Sequence, residues 1–534
     1  MKHRARGFLL LAGLGLAGAV SVSSAATQAT GIVFDDANEN GRFDRDEVGI
    51  AGVAVSNGRD VVRADDHGRY RIAVGDDTIL FVVKPTGWAT PVSEDGIPRF
   101  HYIHKPKGSP PGLAYPGVAP TGPLPDSIDF PLRRRFEPSR FDVILFGDTQ
   151  PRSREEIDLL GHDIIEDLIG TDAAFGITLG DVVHDDLSLF EPLNRAVGRI
   201  GVPWYNVHGN HDMNYRSESD AHSDETWERV YGPATYAFEY GPVHFILLDD
   251  VIYNGANPAD TLPGSYAGGL REDQLDFVRN YLALVPRDDL VVLAMHIPLA
   301  RPDGFEVPSG YQVPQRRELF EILSGHPHNF SLSAHMHVQY HQFFGAADGY
   351  QAPSPHHHLV HATAAGSWWL GALDEVGIPH ATMRCGAPNG YSILSFDGNQ
   401  YSVRFRAARR AANHQMHIIA PNVVAQAKTA KTEVLVNIFA GSKLSTVEMR
   451  VGKARRWRRL EPAAREDPHY VASYARDTAA ADPDGIQLLP PIPSPHIWVA
   501  KLPGRLPRQT HVIEVRTTDM FGQRFSAHRL IRVE

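Results

Sequence analysis

Cysteine is almost absent from this sequence. Cys385 is the single cysteine among 534 residues, so no disulfide can form within the chain. Small extracellular domains that depend on disulfides for their stability are therefore excluded. The chain is long enough for several domains, and each of them must be held together by its own hydrophobic core.

The sequence also lacks an excess of positive charge and, after its first residues, any long hydrophobic run. Lysine and arginine number 52 against 63 aspartate and glutamate residues, which gives a formal net charge of −11. A general nucleic-acid binder needs a basic surface to neutralise phosphates, so no nucleic-acid scaffold is expected. No membrane span is expected in the mature chain either, because a spanning helix needs about 20 apolar residues.

The first residues have the pattern of an export signal. Lys2, Arg4 and Arg6 precede an uncharged apolar run from Phe8 to Val20, and small residues follow as far as Ala26. The run is shorter than a membrane span and has the flanks of a signal peptide. We therefore predict a signal peptide over residues 1–26 and a periplasmic or secreted protein, with a retained membrane anchor as the alternative.

Three regions of different patterning follow the signal. Residues 30–133 contain short β-type runs separated by turn-forming pairs such as Asn57-Gly58, which predicts an N-terminal β-sandwich. Residues 137–405 alternate apolar strands with amphipathic helices, as is typical of a layered α/β domain. Residues 413–534 return to β-type runs without a long helical stripe, which predicts a small β-rich domain.

The middle region places polar side chains directly after its apolar strands. These residues are Asp148, Gln150, Asp181, Asn210, His211, Asp212, His296, His335 and His337. An α/β sheet presents its ligands at the carboxyl ends of its strands, so the set should meet at one edge. Each motif alone is weak, but packing does not explain why the whole ordered set consists of oxygen and imidazole donors.

The ordered set resembles that of the calcineurin-like metallophosphoesterases, in particular a bacterial subgroup with an N-terminal prealbumin-like β-domain and a C-terminal β-domain. The resemblance rests on Asp148-x-Gln150, Gly180-Asp181, Gly209-Asn210-His211-Asp212, His296 and His335-x-His337. It implies an α/β fold in which a four-layer αββα metallophosphoesterase domain is flanked by two β-sandwich-like domains. It also implies a metal-dependent phosphoric ester hydrolase that acts on a small-molecule or envelope phosphoester.

The resemblance further implies a role for each residue. One metal ion would be held by Asp148, Gln150, Asp181 and His337, and a second by Asp181, Asn210, His296 and His335. Oxygen and nitrogen donors without thiolate suit Mn, Fe, Zn or Mg. Two such ions would activate a bridging hydroxide that attacks a phosphate monoester. His211 would stabilise the transition state or protonate the leaving oxygen, and Asp212 would orient the His211 ring.

Two positions depart from the pattern of relatives. Gln150 stands where many relatives have histidine, and because an amide oxygen is a weaker ligand, the first metal is expected to bind loosely. His184 stands where the purple acid phosphatases have a tyrosine ligand. We expect His184 to contact the substrate or a ligand rather than the metal, and we expect the protein to lack the purple colour.

The segment from Gly366 to Tyr391 is rich in turns and aromatic residues. Within it Trp368, Trp369 and Asn389 are candidate substrate contacts, since an exposed aromatic pair suits stacking on a ring. His184 and Asp185 are further candidates for the same role. The alternative is that both tryptophans pack against the C-terminal domain.

Two other motifs have structural interpretations. Residues 356–358 and His361 form a histidine-rich tract, which we interpret as a loop leading into a strand, with metal binding as the alternative.

In the first domain Asp36, Asn38 and Asn40 alternate before Gly41, and Glu47 closes the motif. This spacing matches a calcium loop and predicts structural calcium, with an empty polar turn as the alternative.

Three functions remain open at this point. The first is an exported phosphatase for monoesters, and the second is a phosphodiesterase that uses the same metals. The third is a non-catalytic surface binding protein, which the β-domains and the calcium-type loop suggest. Retention of the full donor set together with His211 argues against the third.

Overall fold

The structure is a computed structural model that describes residues 27–256, 264–301, 310–480 and 488–534. The predicted signal peptide lies outside these residues. None of the helices within them is long and apolar enough to cross a membrane.

The N-terminal region forms two four-stranded sheets, in the orders β4-β1-β8-β6 and β3-β2-β5-β7. Its strands are β1 (Thr27–Asp35), β2 (Ala54–Ser56), β3 (Val61–Arg63), β4 (Arg69–Val74), β5 (Thr78–Val82), β6 (Trp88–Ala89), β7 (His101–His104) and β8 (Phe130–Arg134). Strand β4 shows why such short runs form strands. Tyr70, Ile72 and Val74 are buried while Arg69 and Arg71 are exposed, so alternate side chains face the core.

In its described residues the central region contains two mixed sheets, a separate antiparallel pair formed by β14 and β15, and five α-helices. Its strands are β9 (Arg140–Phe146), β10 (Phe175–Thr178), β11 (Trp204–Asn206), β12 (Tyr236–Tyr240), β13 (Val243–Leu247), β14 (Val251–Tyr253), β15 (Tyr266–Gly268), β16 (Leu290–Ala294), β17 (Asn329–Ser333), β18 (Tyr340–Phe344), β19 (His356–Val360), β20 (Gly390–Asp397) and β21 (Gln400–Ala407). Its helices are α1 (Arg154–Leu160), α2 (Phe190–Val197), α3 (Glu225–Tyr231), α4 (Glu272–Leu282) and α5 (Arg316–Leu323). The first sheet has the order β11-β10-β9-β20-β21 and the second β12-β13-β16-β17-β19-β18.

The two central sheets face each other across an aromatic core. The ring of Tyr205 in the first sheet stacks on Phe238 in the second with 3.8 Å between centroids, and Phe175 meets Phe245 edge to face at 5.2 Å. Helices α1 and α2 pack on the outer face of the first sheet, and α4 and α5 on the outer face of the second. The result is the αββα arrangement that the resemblance implies.

Strands β9, β10 and β11 are parallel neighbours, and so are β13, β16, β17 and β19. Antiparallel strands complete both sheets at their margins. Because the parallel strands point the same way within each sheet, their carboxyl ends lie along one edge. That edge is where the polar residues of the sequence motifs follow.

The C-terminal region forms a second pair of sheets. Its strands are β22 (Met416–Ile419), β23 (Val423–Val424), β24 (Glu433–Ile438), β25 (Thr446–Val451), β26 (Arg458–Arg459), β27 (Glu461–Pro462), β28 (Ile497–Lys501), β29 (Thr510–Thr518) and β30 (Arg524–Val533). They pair in the orders β22-β24-β28-β27 and β23-β30-β29-β25-β26.

One helix of this region contradicts the expectation that helical stripes are absent. Helix α6 spans Pro468–Ala480. Its buried stripe is Tyr470, Ser473 and Asp477, and two of these three residues are polar, so the 3.6-residue period does not show in hydrophobicity. A start signal is present, since the Asp467 side chain accepts the amide hydrogen of Tyr470 at 3.0 Å and Pro468 occupies the first turn.

The histidine-rich tract also differs from the expected loop. Residues 356–358 lie inside the buried strand β19. Their ring nitrogens bond to neighbouring polar side chains, for example His356 Nε2 and His358 Nδ1, each 2.7 Å from Ser331 Oγ. Imidazoles that find hydrogen-bond partners in this way can occupy a core strand despite their polarity.

Candidate functional site

The candidate ligands converge between the two sheets. Asp148, Asp181 and Asn210 follow β9, β10 and β11 of the first sheet, while His296, His335 and His337 follow β16 and β17 of the second. One ligand atom each from Asp181, His296 and His335 lies within 4.8 Å of the others. The fold therefore brings together residues that are far apart along the chain.

Close distances connect these side chains. His296 Nε2 lies 3.2 Å from Asp181 Oδ2 and 3.0 Å from Asn210 Oδ1. His335 Nδ1 lies 3.2 Å from His296 Nε2, and His337 Nε2 lies 3.1 Å from Asp148 Oδ2. The donors of both sheets thus form one cluster rather than two separate ones.

Backbone carbonyls fix the tautomers of two imidazoles. His296 Nδ1–H donates to the Leu179 carbonyl at 2.8 Å, and His337 Nδ1–H donates to the Gly366 carbonyl at 2.6 Å. In the neutral form of each ring the Nε2 lone pair is left to face the cluster. Such a hydrogen bond on the far nitrogen is the usual support of a histidine that ligates a metal.

The loops that carry the ligands are tightly constrained. A Cβ atom on Gly209 would lie 2.0 Å from the Asp181 backbone nitrogen, so only glycine allows the two loops to approach. Asp181, His335 and His337 all have positive φ values, of 49°, 62° and 51°. Backbone strain of this kind costs about 1–3 kcal/mol for each residue and is concentrated where a site must be preformed.

The electrostatics of the cluster favour a cation. Burial raises the pKa of Asp148 to about 7, with the Asp181 charge adding to the effect. Burial opposes ionisation of Asp181 too, but the charge of a protonated His296 holds the pKa of Asp181 well below the usual range. Asp181 in turn, against the effect of burial, raises the pKa of His296 to about 10. Burial lowers the pKa of His337 to about 4, which leaves it neutral, as a metal ligand must be.

Two buried atoms of the cluster have no hydrogen-bond partner. They are Asp148 Oδ2 and His335 Nε2. His337 Nε2 approaches Asp148 Oδ2, but because its ring hydrogen is on Nδ1 it has no proton to donate there. Buried polar atoms are normally paired, so unpaired atoms inside a cluster of carboxylates and imidazoles fit a bound metal ion. The donor set contains no thiolate and suits the harder divalent metals.

His211 lies at the accessible side of the cluster, with 22% of its side chain exposed. Its Nδ1 lies 2.7 Å from Asp185 Oδ1 and 2.9 Å from His184 Nδ1. Burial alone would lower the pKa of His211, but the Asp181 charge and the bond to Asp185 raise it instead. Asp185, and not Asp212, is therefore the residue that orients the His211 ring.

Asp212 has a different task from the one expected. Its Oδ2 accepts the amide hydrogens of Val182 at 3.1 Å and Gly209 at 2.9 Å. Its Oδ1 accepts that of Val183 at 3.1 Å. Asp212 thus ties the loop that carries Asp181 to the loop that carries Asn210. It acts on the backbone of the site and does not contact the His211 ring.

The two adjacent tryptophans point to different places. Trp368 Nε1 donates to Gln150 Oε1 at 2.7 Å, and its ring lies 4.3 Å from that of His337. Trp369 is buried, and its Nε1 donates to Asp163 Oδ2 at 3.0 Å. Trp368 therefore borders the cluster, whereas Trp369 belongs to the core over the first sheet.

Asn389 does not fit its expected role as a substrate contact. Its Nδ2 donates to Asp163 Oδ2 at 2.7 Å and to the Ala364 carbonyl at 3.0 Å. The residue is buried. Its amide therefore holds the segment after β19 in place and does not line an accessible surface.

Sequence reasoning missed three residues around the cluster. Asp250 Oδ1 accepts the amide hydrogens of His296 and Ile297, each at 3.0 Å. The ring of Tyr311 lies 4.3 Å from that of His335, and Tyr266 bonds to Tyr311 through their hydroxyls at 3.2 Å. The sequence did contain a signal for Asp250, because this residue follows the apolar run of β13 as the other site residues follow their strands. No sequence pattern marks the two tyrosines.

Comparison with known families decides the class of the protein. Residues 141–339 match the family model described as calcineurin-like phosphoesterase. Residues 37–113 match the model for the N terminal of calcineurin-like phosphoesterase, and residues 358–525 match the model for its C terminal. The chain belongs to the calcineurin-like phosphoesterase family. This phosphoesterase is therefore a metal-dependent phosphoester hydrolase that uses divalent metal ions.

Other comparisons add little to this assignment. No curated protein matches the phosphoesterase. A solved purple acid phosphatase from yellow lupin (Lupinus luteus) seeds matches 67% of each chain at 14% identity with a TM-score of 0.34. That similarity is too low to support an inference about this chain. The roles of the individual site residues of this phosphoesterase stay predictions.

Proposed function

We propose that the protein is an exported phosphoesterase that holds two divalent metal ions and hydrolyses phosphate monoesters. The observation that carries the proposal is the convergence of donors from two facing sheets on one point, with His211 beside it. The proposal divides this one cluster of donors into two ligand sets that share Asp181, as expected of a pair of ions with a bridging carboxylate. Family membership makes a non-catalytic binding protein the weaker interpretation.

The ligand sets follow from the positions of the side chains. Asp148, Asp181 and His337 would hold the first ion, with Gln150 as the fourth predicted ligand of this set. Asp181, Asn210, His296 and His335 would hold the second. Mn, Fe, Zn and Mg all suit these oxygen and nitrogen donors. When bound, the ions supply Lewis acidity to the phosphoryl oxygens and lower the pKa of bound water.

His211 and its neighbours would handle the substrate and its leaving group. His211 is placed at the accessible side, and Asp185 holds its ring through Nδ1. The raised pKa of His211 favours the protonated ring, which can give a proton to the leaving oxygen. His184 is next to it, and the pair can donate hydrogen bonds to the terminal oxygens of a monoester. The indole of Trp368 bounds the same space.

The test compares a monoester with a diester after metal removal and restoration. Chelated protein should not hydrolyse either ester, and Mn, Zn, Fe or Mg should restore hydrolysis with p-nitrophenyl phosphate preferred over bis(p-nitrophenyl) phosphate. A preference for the diester would replace the proposed substrate class by the phosphodiesterase alternative. Absence of hydrolysis with every metal would contradict the proposed function itself.

Export is proposed from the sequence of residues 1–26 alone. The charged start and short apolar run fit a cleaved signal. Protein recovered from the periplasm or medium should then have an intact mass that lacks the predicted signal. Recovery of the uncleaved chain in membranes would favour the anchor alternative.

Structural calcium in the N-terminal region is a separate proposal. Asn38 Nδ2 and Asn40 Nδ2 donate to Asp44 Oδ2 at 2.8 Å and 2.7 Å, so these three side chains of the loop meet one another. Gly41 has a φ of 72° at the sixth position, where calcium loops need a tight turn. Asp44 occupies the ninth position and was missed in the sequence.

Calcium should raise the melting temperature of the full chain. Saturation at 100 times the dissociation constant contributes about 2.7 kcal/mol, which corresponds to a rise of a few degrees. Scanning calorimetry with calcium or magnesium measures the rise, and Asp36→Ala should remove it. Equal melting temperatures with both ions would contradict the calcium proposal.

A further inference from the structure

Gln150 is placed among the metal ligands, but both ends of its amide are already engaged. The residue is 1% exposed and follows β9. Its Nε2 donates to Asp181 Oδ2 at 2.6 Å. Its Oε1 accepts the indole hydrogen of Trp368 at 2.7 Å. The amide therefore bridges the indole and the carboxylate shared by the two ligand sets.

The partners determine which way the amide points. An indole nitrogen can only donate a hydrogen bond, so the atom that faces Trp368 must be the amide oxygen. An ionised carboxylate can only accept, so the atom that faces Asp181 must be the amide nitrogen. Reversing the amide would bring two donors together at one end and two acceptors together at the other. Both constraints select the same orientation.

Trp368 is itself held firmly in position. Arg152 donates through its guanidinium to the Trp368 carbonyl at 3.1 Å, and Arg152 Nε is bound to Glu156 Oε1 at 2.8 Å. The Trp368 backbone nitrogen donates to the Ala365 carbonyl at 2.8 Å. The ring cannot easily turn away from Gln150, since it also packs against His337.

We propose that Trp368 is a positioning residue that locks the Gln150 amide with its nitrogen toward Asp181, so that Gln150 is not a metal ligand. The inference rests on the two-metal site of the proposed function. The first ion is then held by Asp148, Asp181 and His337 alone, one protein ligand fewer than the second. The first ion should accordingly bind more weakly than the second and exchange faster. The hydrogen bond from the Gln150 amide should also reduce the electron density that the Asp181 carboxylate offers to the first ion.

The experiment is a Mn²⁺ titration of the metal-free full chain by calorimetry, with electron paramagnetic resonance to count single and paired ions. Wild-type protein should show two sites that differ by at least about tenfold in dissociation constant, which is about 1.4 kcal/mol. Gln150→Ala should change the weaker constant by less than about twofold, because no ligand is lost. Trp368→Phe should tighten the weaker site several-fold, because the amide can then turn its oxygen to the ion.

Trp369→Phe is the matched control, since the neighbouring indole donates to Asp163 and not to Gln150. It should leave both dissociation constants unchanged. A loss of about tenfold or more in the weaker site of Gln150→Ala would show that Gln150 is a ligand and would overturn the proposal. If folded Trp368→Phe has the wild-type dissociation constant at the weaker site, Trp368 does not fix the orientation of the Gln150 amide, and the proposal is overturned as well.

These outcomes are distinct from failure of the proposed function. Gln150→Ala alone decides whether the amide is a ligand if Trp368→Phe does not fold. Two Mn²⁺ sites without hydrolysis of any ester would contradict the enzyme function and leave the inference standing. Binding of a single Mn²⁺ by wild-type protein would contradict the two-metal site, and the inference with it.

Discussion

Asp181→Asn should lower kcat for a phosphate monoester by at least about a thousandfold. A pair of metal ions contributes several kcal/mol of transition-state stabilisation, and each loss of about 1.36 kcal/mol lowers the rate tenfold. Asp181 is the one carboxylate in both proposed ligand sets. Asparagine keeps the size and can still accept the His211 amide hydrogen, which Asp181 Oδ1 accepts at 2.8 Å. It removes the negative charge and turns an NH₂ group toward His296.

Steady-state kinetics and metal analysis of the same samples check this expectation. The metal content of Asp181→Asn should fall below that of the wild type, and excess metal should not restore the rate. Asp172→Asn is the control, since Asp172 is not buried and lies outside the site. A variant that retains most of its activity would show that Asp181 does not bridge the metals.

His211→Ala should lower kcat by about 10²–10⁴-fold, the usual contribution of a general acid. The loss should be larger for an alkyl phosphate than for p-nitrophenyl phosphate, because an alkoxide needs a proton to leave and nitrophenolate does not. The metal content should stay unchanged, since His211 contacts Asp181 through its backbone amide and lies outside the proposed ligand sets.

The pH dependence gives a second measure of the same role. Asp181 and Asp185 raise the pKa of His211, so the protonated form is retained at higher pH and the rate should fall as the ring loses its proton. His211→Ala should lack this decline. His162→Ala is the control, because His162 is an exposed helix-side residue bonded to Glu166 at 2.7 Å. An equal loss of kcat in His211→Ala for the alkyl phosphate and for p-nitrophenyl phosphate would argue against proton donation by His211.

The positions of the proposed metal ligands could be predicted because these residues follow a simple rule of α/β sheets. A short apolar run marks each buried strand, and ligands gather where parallel strands end. This rule alone assigns Asp148, Asp181 and His296 to the carboxyl edge of the sheets, where the fold has them. The αββα layering came from the resemblance, since strand and helix patterns alone indicated only a layered α/β domain.

Other features could not be predicted because their signals were local and ambiguous. Helix α6 has a polar buried stripe, so its period was hidden, although Asp467 and Pro468 marked its start. Strand β19 contains three histidines. A core strand can hold them because Ser331 bonds to His356 and His358, and because His341 and Tyr401 bond to His357. Hydrophobicity along the chain does not report such partners.

The sequence by itself determined the order of the three regions and the residue types that gather at the site, and its motifs indicated the class that the family comparison then decided. Only the tertiary structure decided which atom of each side chain faces which neighbour. It places Asp185 against His211 and Asp212 against the backbone, and it directs the Gln150 amide nitrogen to Asp181 and the amide oxygen to Trp368. The reason is physical: a hydrogen bond depends on the direction of donor and acceptor, and Trp368 reaches Gln150 from 218 positions away in the chain.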